Sequence, residues 1–105
     1  MAVKVYNKLV RDKIPEVIEQ EGKKCTVRVL DDEEYLKALD AKLDEELAEY
    51  HKDQNIEELA DLLEVLYAAA EDRGFTKDEL EAVRVRKAAK RGKFKEKLFL
   101  ESVIE

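Results

Sequence analysis

The residues best equipped for chemistry in this 105-residue chain are two acidic clusters, Glu45-Glu46-Leu47-Ala48-Glu49 and Glu58-Leu59-Ala60-Asp61. Acids three apart share one face of a helix, so Glu46 pairs with Glu49 and Glu58 with Asp61. At about 100° per residue, Glu46 and Glu49 border the apolar stripe Leu36, Leu39, Leu43, Leu47 and Tyr50. By the same geometry Glu58 falls inside an apolar arc centred near Leu62, where an unpartnered carboxylate is costly. Only Asp53 and Gln54 separate the helix of the first cluster from Asn55, and so short a link makes the two helices antiparallel neighbours. Glu49 then comes opposite Glu58, with Glu46 and Asp61 one turn further along. Four like charges in one groove repel one another, and a cation is the natural remedy. Oxygen-only ligation selects a hard ion, Mg²⁺ or Mn²⁺. A plainer role stands beside this one. Asn55 and Glu58 have capping-box spacing, and Glu57 and Asp61 suit the positive end of a helix.

Four predicted helices position these residues. The first starts near Asp12, tolerates Pro15 in its first turn, and ends before Gly22. The second opens at Asp31 or Asp32 and continues to about Lys52. Asn55 caps the third, which runs to Asp72 before Gly74. Thr76 and Glu79 form a capping box for the fourth, which runs to about Arg91. Two short β-prone stretches, 3–6 and 25–30, flank the first helix and are expected to pair or run extended. With no repeat, linker or low-complexity stretch, residues 1–105 form a single all-α domain.

Composition narrows the functional classes. Three glycines and one proline build too few turns for a many-stranded sandwich or barrel. Residues 1–30 carry a net +3, residues 31–81 a net −14, and residues 82–105 a net +5. The acidic middle argues against duplex nucleic acid as a partner. It favours divalent cations, with basic ends left for phosphates. No apolar run approaches the length of a membrane span, and Cys25, alone of its kind, suits a reducing compartment. A cytoplasmic protein without a membrane partner is the expectation. Cys25 itself reads as a small hydrophobe and His51 as a solvent-facing helix residue.

Glu45-Glu46-x-x-Glu49 followed by Glu58-x-x-Asp61 resembles the signature of the MazG-like all-α nucleoside triphosphate pyrophosphatases, a superfamily that includes phosphoribosyl-ATP pyrophosphohydrolases. Tyr6-Asn-Lys-Leu-Val-Arg-Asp-Lys-Ile-Pro15 resembles the opening of its short house-cleaning members, and Lys87-Ala-Ala-Lys-Arg-Gly-Lys-Phe94 their basic closing segment. The resemblance implies Mg²⁺-dependent hydrolysis of a nucleoside triphosphate, of the non-canonical, house-cleaning kind, to monophosphate and pyrophosphate. It makes Glu46, Glu49, Glu58 and Asp61 the metal ligands, and Glu45 with Glu46 the catalytic acids beside the attacking water. The eight residues between Glu49 and Glu58 are fewer than in longer members, so their base-recognition elements are expected to be missing. A phosphoribosyl-ATP substrate, or a non-catalytic helical partner of the same fold, are the alternatives.

Substrate phosphates also require cations from the protein. Lys8, Arg11 and Lys13 precede the first helix, and Lys87 and Arg91 close the fourth. The guanidinium forks of Arg11 and Arg91 match phosphate geometry best. The third helix is apolar over about half its circumference, and the tail adds Leu98, Phe99, Leu100, Val103 and Ile104. A monomer of this size would struggle to bury both. Pairing two hairpins into a four-helix bundle predicts a homo-oligomer, a dimer or a tetramer.

Overall fold

Each of the three longer helices begins where a short polar side chain satisfies a free backbone donor. The computed structural model describes residues 2–104 and has four helices among them: α1 (Ile14–Gln20), α2 (Asp32–Asp53), α3 (Ile56–Asp72) and α4 (Lys77–Arg91). Asp31 caps α2 by accepting from the Glu34 backbone N–H at 2.8 Å, and the Glu34 side chain accepts in return from the Asp31 N–H. Glu34 is further held by both guanidinium nitrogens of Arg28, at 3.2 and 2.8 Å. Thr76 and Glu79 form the equivalent reciprocal pair at α4. At α3 only half of the pair forms. Asn55 accepts from the Glu58 N–H at 2.9 Å, but the Glu58 carboxylate makes no return bond. That carboxylate stays available to the groove between α2 and α3.

The α2–α3 turn is as tight as its length demands. Gln54 sits in the left-handed region at φ 50°, and the Asn55 backbone is already extended. A non-glycine residue adopts this conformation at a cost of about 1–2 kcal/mol, which packing of the hairpin offsets. Helix α3 lies along α2 and also touches α4. The register is antiparallel. Glu71 and Asp72 at the end of α3 bear on Tyr35 at the start of α2, while Glu58 at the start of α3 meets Glu49 and Asp53 near the end of α2. Beyond α3, Gly74 at φ +90° turns the chain so that the Phe75 N–H reaches back to the Ala70 carbonyl, closing the helix as a Schellman turn.

Residues 3–6 and 25–30 form neither helix nor strand, and no strand occurs among the described residues. The fold is all-α. Among the described residues no helix is long and apolar enough to cross a membrane.

Little of the apolar content is buried. Leu39, on the α2 stripe, is the sole buried hydrophobic residue among those described, at 2% exposure. The surface is 10069 Å², whereas a compact folded chain of 12.2 kDa exposes about 6,000 Å². The radius of gyration is 18.5 Å against about 13 Å for a compact domain of this length. Part of the excess belongs to the open segments 2–13 and 92–104. Another part is a row on α3, Ile56, Leu59, Leu63 and Leu66, whose spacing of three, four and three residues follows a heptad seam.

Candidate metal centre

The acids singled out by spacing come together at the turn end of the α2–α3 hairpin. Carboxylate oxygens of Glu46, Glu58 and Asp61 all lie within 4.8 Å of one another. A second triad of the same compactness joins Glu49, Asp53 and Glu58. Glu58 belongs to both. The four acids expected to converge therefore form two overlapping triads rather than one ring, and Asp53 is an addition. As the last residue of α2, Asp53 stands four places after Glu49 and so shares its face. The sequence reading took it for part of the link between the helices.

Glu58 carries the electrostatic strain of this arrangement. Partial burial, and then the charges of Asp53, Asp61, Glu49 and Glu46, push its carboxyl above the usual glutamate range. Glu45 behaves in the opposite way. Its burial opposes ionisation, but hydrogen bonds from Lys42 and Lys8, with their charges, outweigh that and hold its carboxyl below the usual range.

Three cations sit on the acids in the present structure. Lys8 Nζ is 3.2 Å from Glu45 Oε1, and Arg11 Nη2 is 2.8 Å from Asp61 Oδ1. These pairs span 37 and 50 residues of sequence, so they tie the N-terminal segment across the hairpin. Lys42 Nζ lies 3.2 Å from Glu45 Oε2 and 3.4 Å from Glu46 Oε1. Sequence reasoning missed Lys42, although its three- and four-residue spacing to Glu45 and Glu46 was a readable signal. Lys13 occupies the N-cap of α1, and Lys87 and Arg91 stand on α4. Among the described residues none of these three pairs with an acid of the groove. His51 is exposed and lies beside Tyr50, with ring centroids 6.0 Å apart.

The donor set suits a hard divalent ion. Every candidate ligand is a carboxylate oxygen, the triads are compact, and the ligands come from two rigid helices rather than from loops. Glu49, Asp53 and Glu58 have no basic partner among the described residues, so one end of the groove keeps uncompensated negative charge.

No family model matches the chain, and no solved structure matches it. An uncharacterized protein of Mycolicibacterium smegmatis is 61% identical over 41 residues, a stretch covering 39% of this chain and 42% of that protein.

Proposed function

We propose that the chain is a Mg²⁺-dependent nucleotide pyrophosphohydrolase of the MazG-like all-α kind, acting in the cytoplasm as a homo-oligomer. The observation that carries the reading is the convergence of Glu46, Glu58 and Asp61, with Glu49 joined through Glu58, across a hairpin otherwise stabilised by ordinary caps. Nothing in helix formation requires these acids to face one another. Their mutual repulsion costs stability unless a cation offsets it.

In this account Glu46, Glu49, Glu58 and Asp61 hold Mg²⁺, or Mn²⁺ in its place. When bound, the ion neutralises phosphate oxygens and lowers the pKa of a coordinated water. The residues of the chain do the rest. Glu45, fixed by Lys8 and Lys42, orients the attacking water and receives its proton. Lys8 and Arg11 stand beside the groove and grip the phosphates, joined by Lys13 and, from α4 of the same or a second copy, Lys87 and Arg91. Water oxygen bonds to phosphorus while the α–β anhydride bond breaks, and pyrophosphate leaves with the electron pair. The products are a nucleoside monophosphate and pyrophosphate. Only eight residues separate Glu49 from Glu58, too short a stretch to carry the base-recognition elements of longer members, and non-canonical triphosphates are the substrates this reading favours.

The large apolar surface supports assembly. The row Ile56, Leu59, Leu63 and Leu66 leaves one face of α3 uncovered, with a spacing that a second helix face can interdigitate with. Pyrophosphate release measured over a panel of ordinary and damaged nucleoside triphosphates, with and without Mg²⁺, tests the function. Release confined to the Mg²⁺ arm, and lost in Glu58→Gln, is expected. No release from any nucleotide would remove the enzymatic reading.

A further inference from the structure

Lys42 is the most enclosed cation in any ion pair of this structure. Its side chain retains 15% of its exposure, against 41% for Lys8 and 56% for Arg11. Glu46, one of its two partners, is as enclosed at 13%. A lysine covered to this degree and left unpaired would be expensive to keep charged. Its ammonium instead meets carboxylates at the third and fourth positions along the same helix, a forked contact that a compact charge with three donors can make. An ordinary surface pair, such as Glu33 with Lys37 on the same helix, is far more exposed.

We propose that Lys42 is a positioning residue and the resident counter-cation of the acidic groove. Without metal it neutralises Glu45 and Glu46 and allows Glu46 to join Glu58 and Asp61. A divalent ion taking Glu46 competes with it for that carboxylate, while Lys42 keeps Glu45 and holds it beside the ion rather than upon it. The second half of this rests on the cation-centre reading above. The first half does not.

Two measurements test it. In metal-free protein, a denaturant double-mutant cycle pairs Lys42→Met with Glu46→Gln. Lys42→Met alone should lower the folding equilibrium constant about tenfold, adding Glu46→Gln should recover most of the loss, and Lys42→Arg should retain wild-type stability. A Lys42→Met chain that folds only once Glu46→Gln is added supports the proposal equally. Additive effects in the cycle would overturn it. Titration with Mn²⁺, followed by electron paramagnetic resonance, should show several-fold tighter binding in Lys42→Met and wild-type affinity in Lys42→Arg. Equal or weaker binding in Lys42→Met would overturn the competition. If neither wild type nor variant binds Mn²⁺, the metal-centre reading fails, and the cycle alone still decides the role of Lys42 in the metal-free chain.

Discussion

Replacing Leu63 with glutamate should dissolve the proposed homo-oligomer, and the size of the effect follows from the surface of α3. Leu63 lies inside the seam formed with Ile56, Leu59 and Leu66, and it is 44% exposed in the single chain. Full burial of a leucine is worth about 1.5–3 kcal/mol, so covering the remaining part yields roughly 1 kcal/mol per subunit. A glutamate there forfeits that gain and brings an unpaired carboxylate into an apolar contact, at several kcal/mol more. In a two-fold interface the change occurs twice. Counted twice, these terms exceed roughly 5 kcal/mol, which weakens association by more than about a thousandfold. Sedimentation equilibrium at tens of micromolar subunit should return an oligomer for the wild type and a 12.2 kDa species for Leu63→Glu, with helicity checked by circular dichroism. A wild-type mass of 12.2 kDa at those concentrations, or an oligomer undisturbed by Leu63→Glu, would refute the reasoning.

Further outcomes follow from the same physics. The raised carboxyl of Glu58 contributes favourably below its unfolded value, and that contribution is lost as pH rises through the folded value. Glu58→Gln should therefore raise the melting temperature of metal-free protein at neutral pH, with the gain vanishing in acid; a lower melting temperature at neutral pH would contradict this. Glu45 has the opposite sign, its contribution being present above the unfolded value and lost on acidification. Arg11→Ala should raise the apparent substrate constant, and added salt should reproduce part of that loss in the wild type, because the half-exposed Arg11 guanidinium attracts phosphate through screening solvent; steady-state kinetics at two ionic strengths checks it. Leu39→Ala should cost about 2–5 kcal/mol, roughly 10–20 °C in melting temperature, as deletion from the sole fully buried apolar position among the described residues; calorimetry showing a shift of a degree or two would disprove that Leu39 anchors the hairpin.

Local chemistry made the helices legible. Asn55 and Thr76 cap the helices they were expected to cap, and Asp31, one of the two expected starts of α2, caps that helix, because an N-cap depends on a side chain and a donor two or three residues away. The first helix begins at Ile14 rather than near Asp12, since Lys13 offers no side-chain cap and Pro15 fixes only the first turn. The convergence of Glu46, Glu58 and Asp61 followed from two spacings and a short link, both readable from the chain. What spacing could not reveal was the fate of the Glu58 side chain. Its capping-box position allowed a return bond to Asn55, and only the packed hairpin shows it facing the other acids instead. Lys42 and Asp53 escaped because the three-and-four rule was applied to acids inside two clusters and not to their neighbours. For Lys13, Lys87 and Arg91, block charge gave a sign but no geometry.

Phosphorus magnetic resonance of a nucleoside triphosphate reaction, run with wild type and Glu58→Gln side by side in Mg²⁺, tests the central claim most directly. Monophosphate and pyrophosphate should accumulate in equal amounts with the wild type and not with Glu58→Gln, while both proteins remain helical. Diphosphate and orthophosphate as products, or equal turnover by the two proteins, would contradict the account.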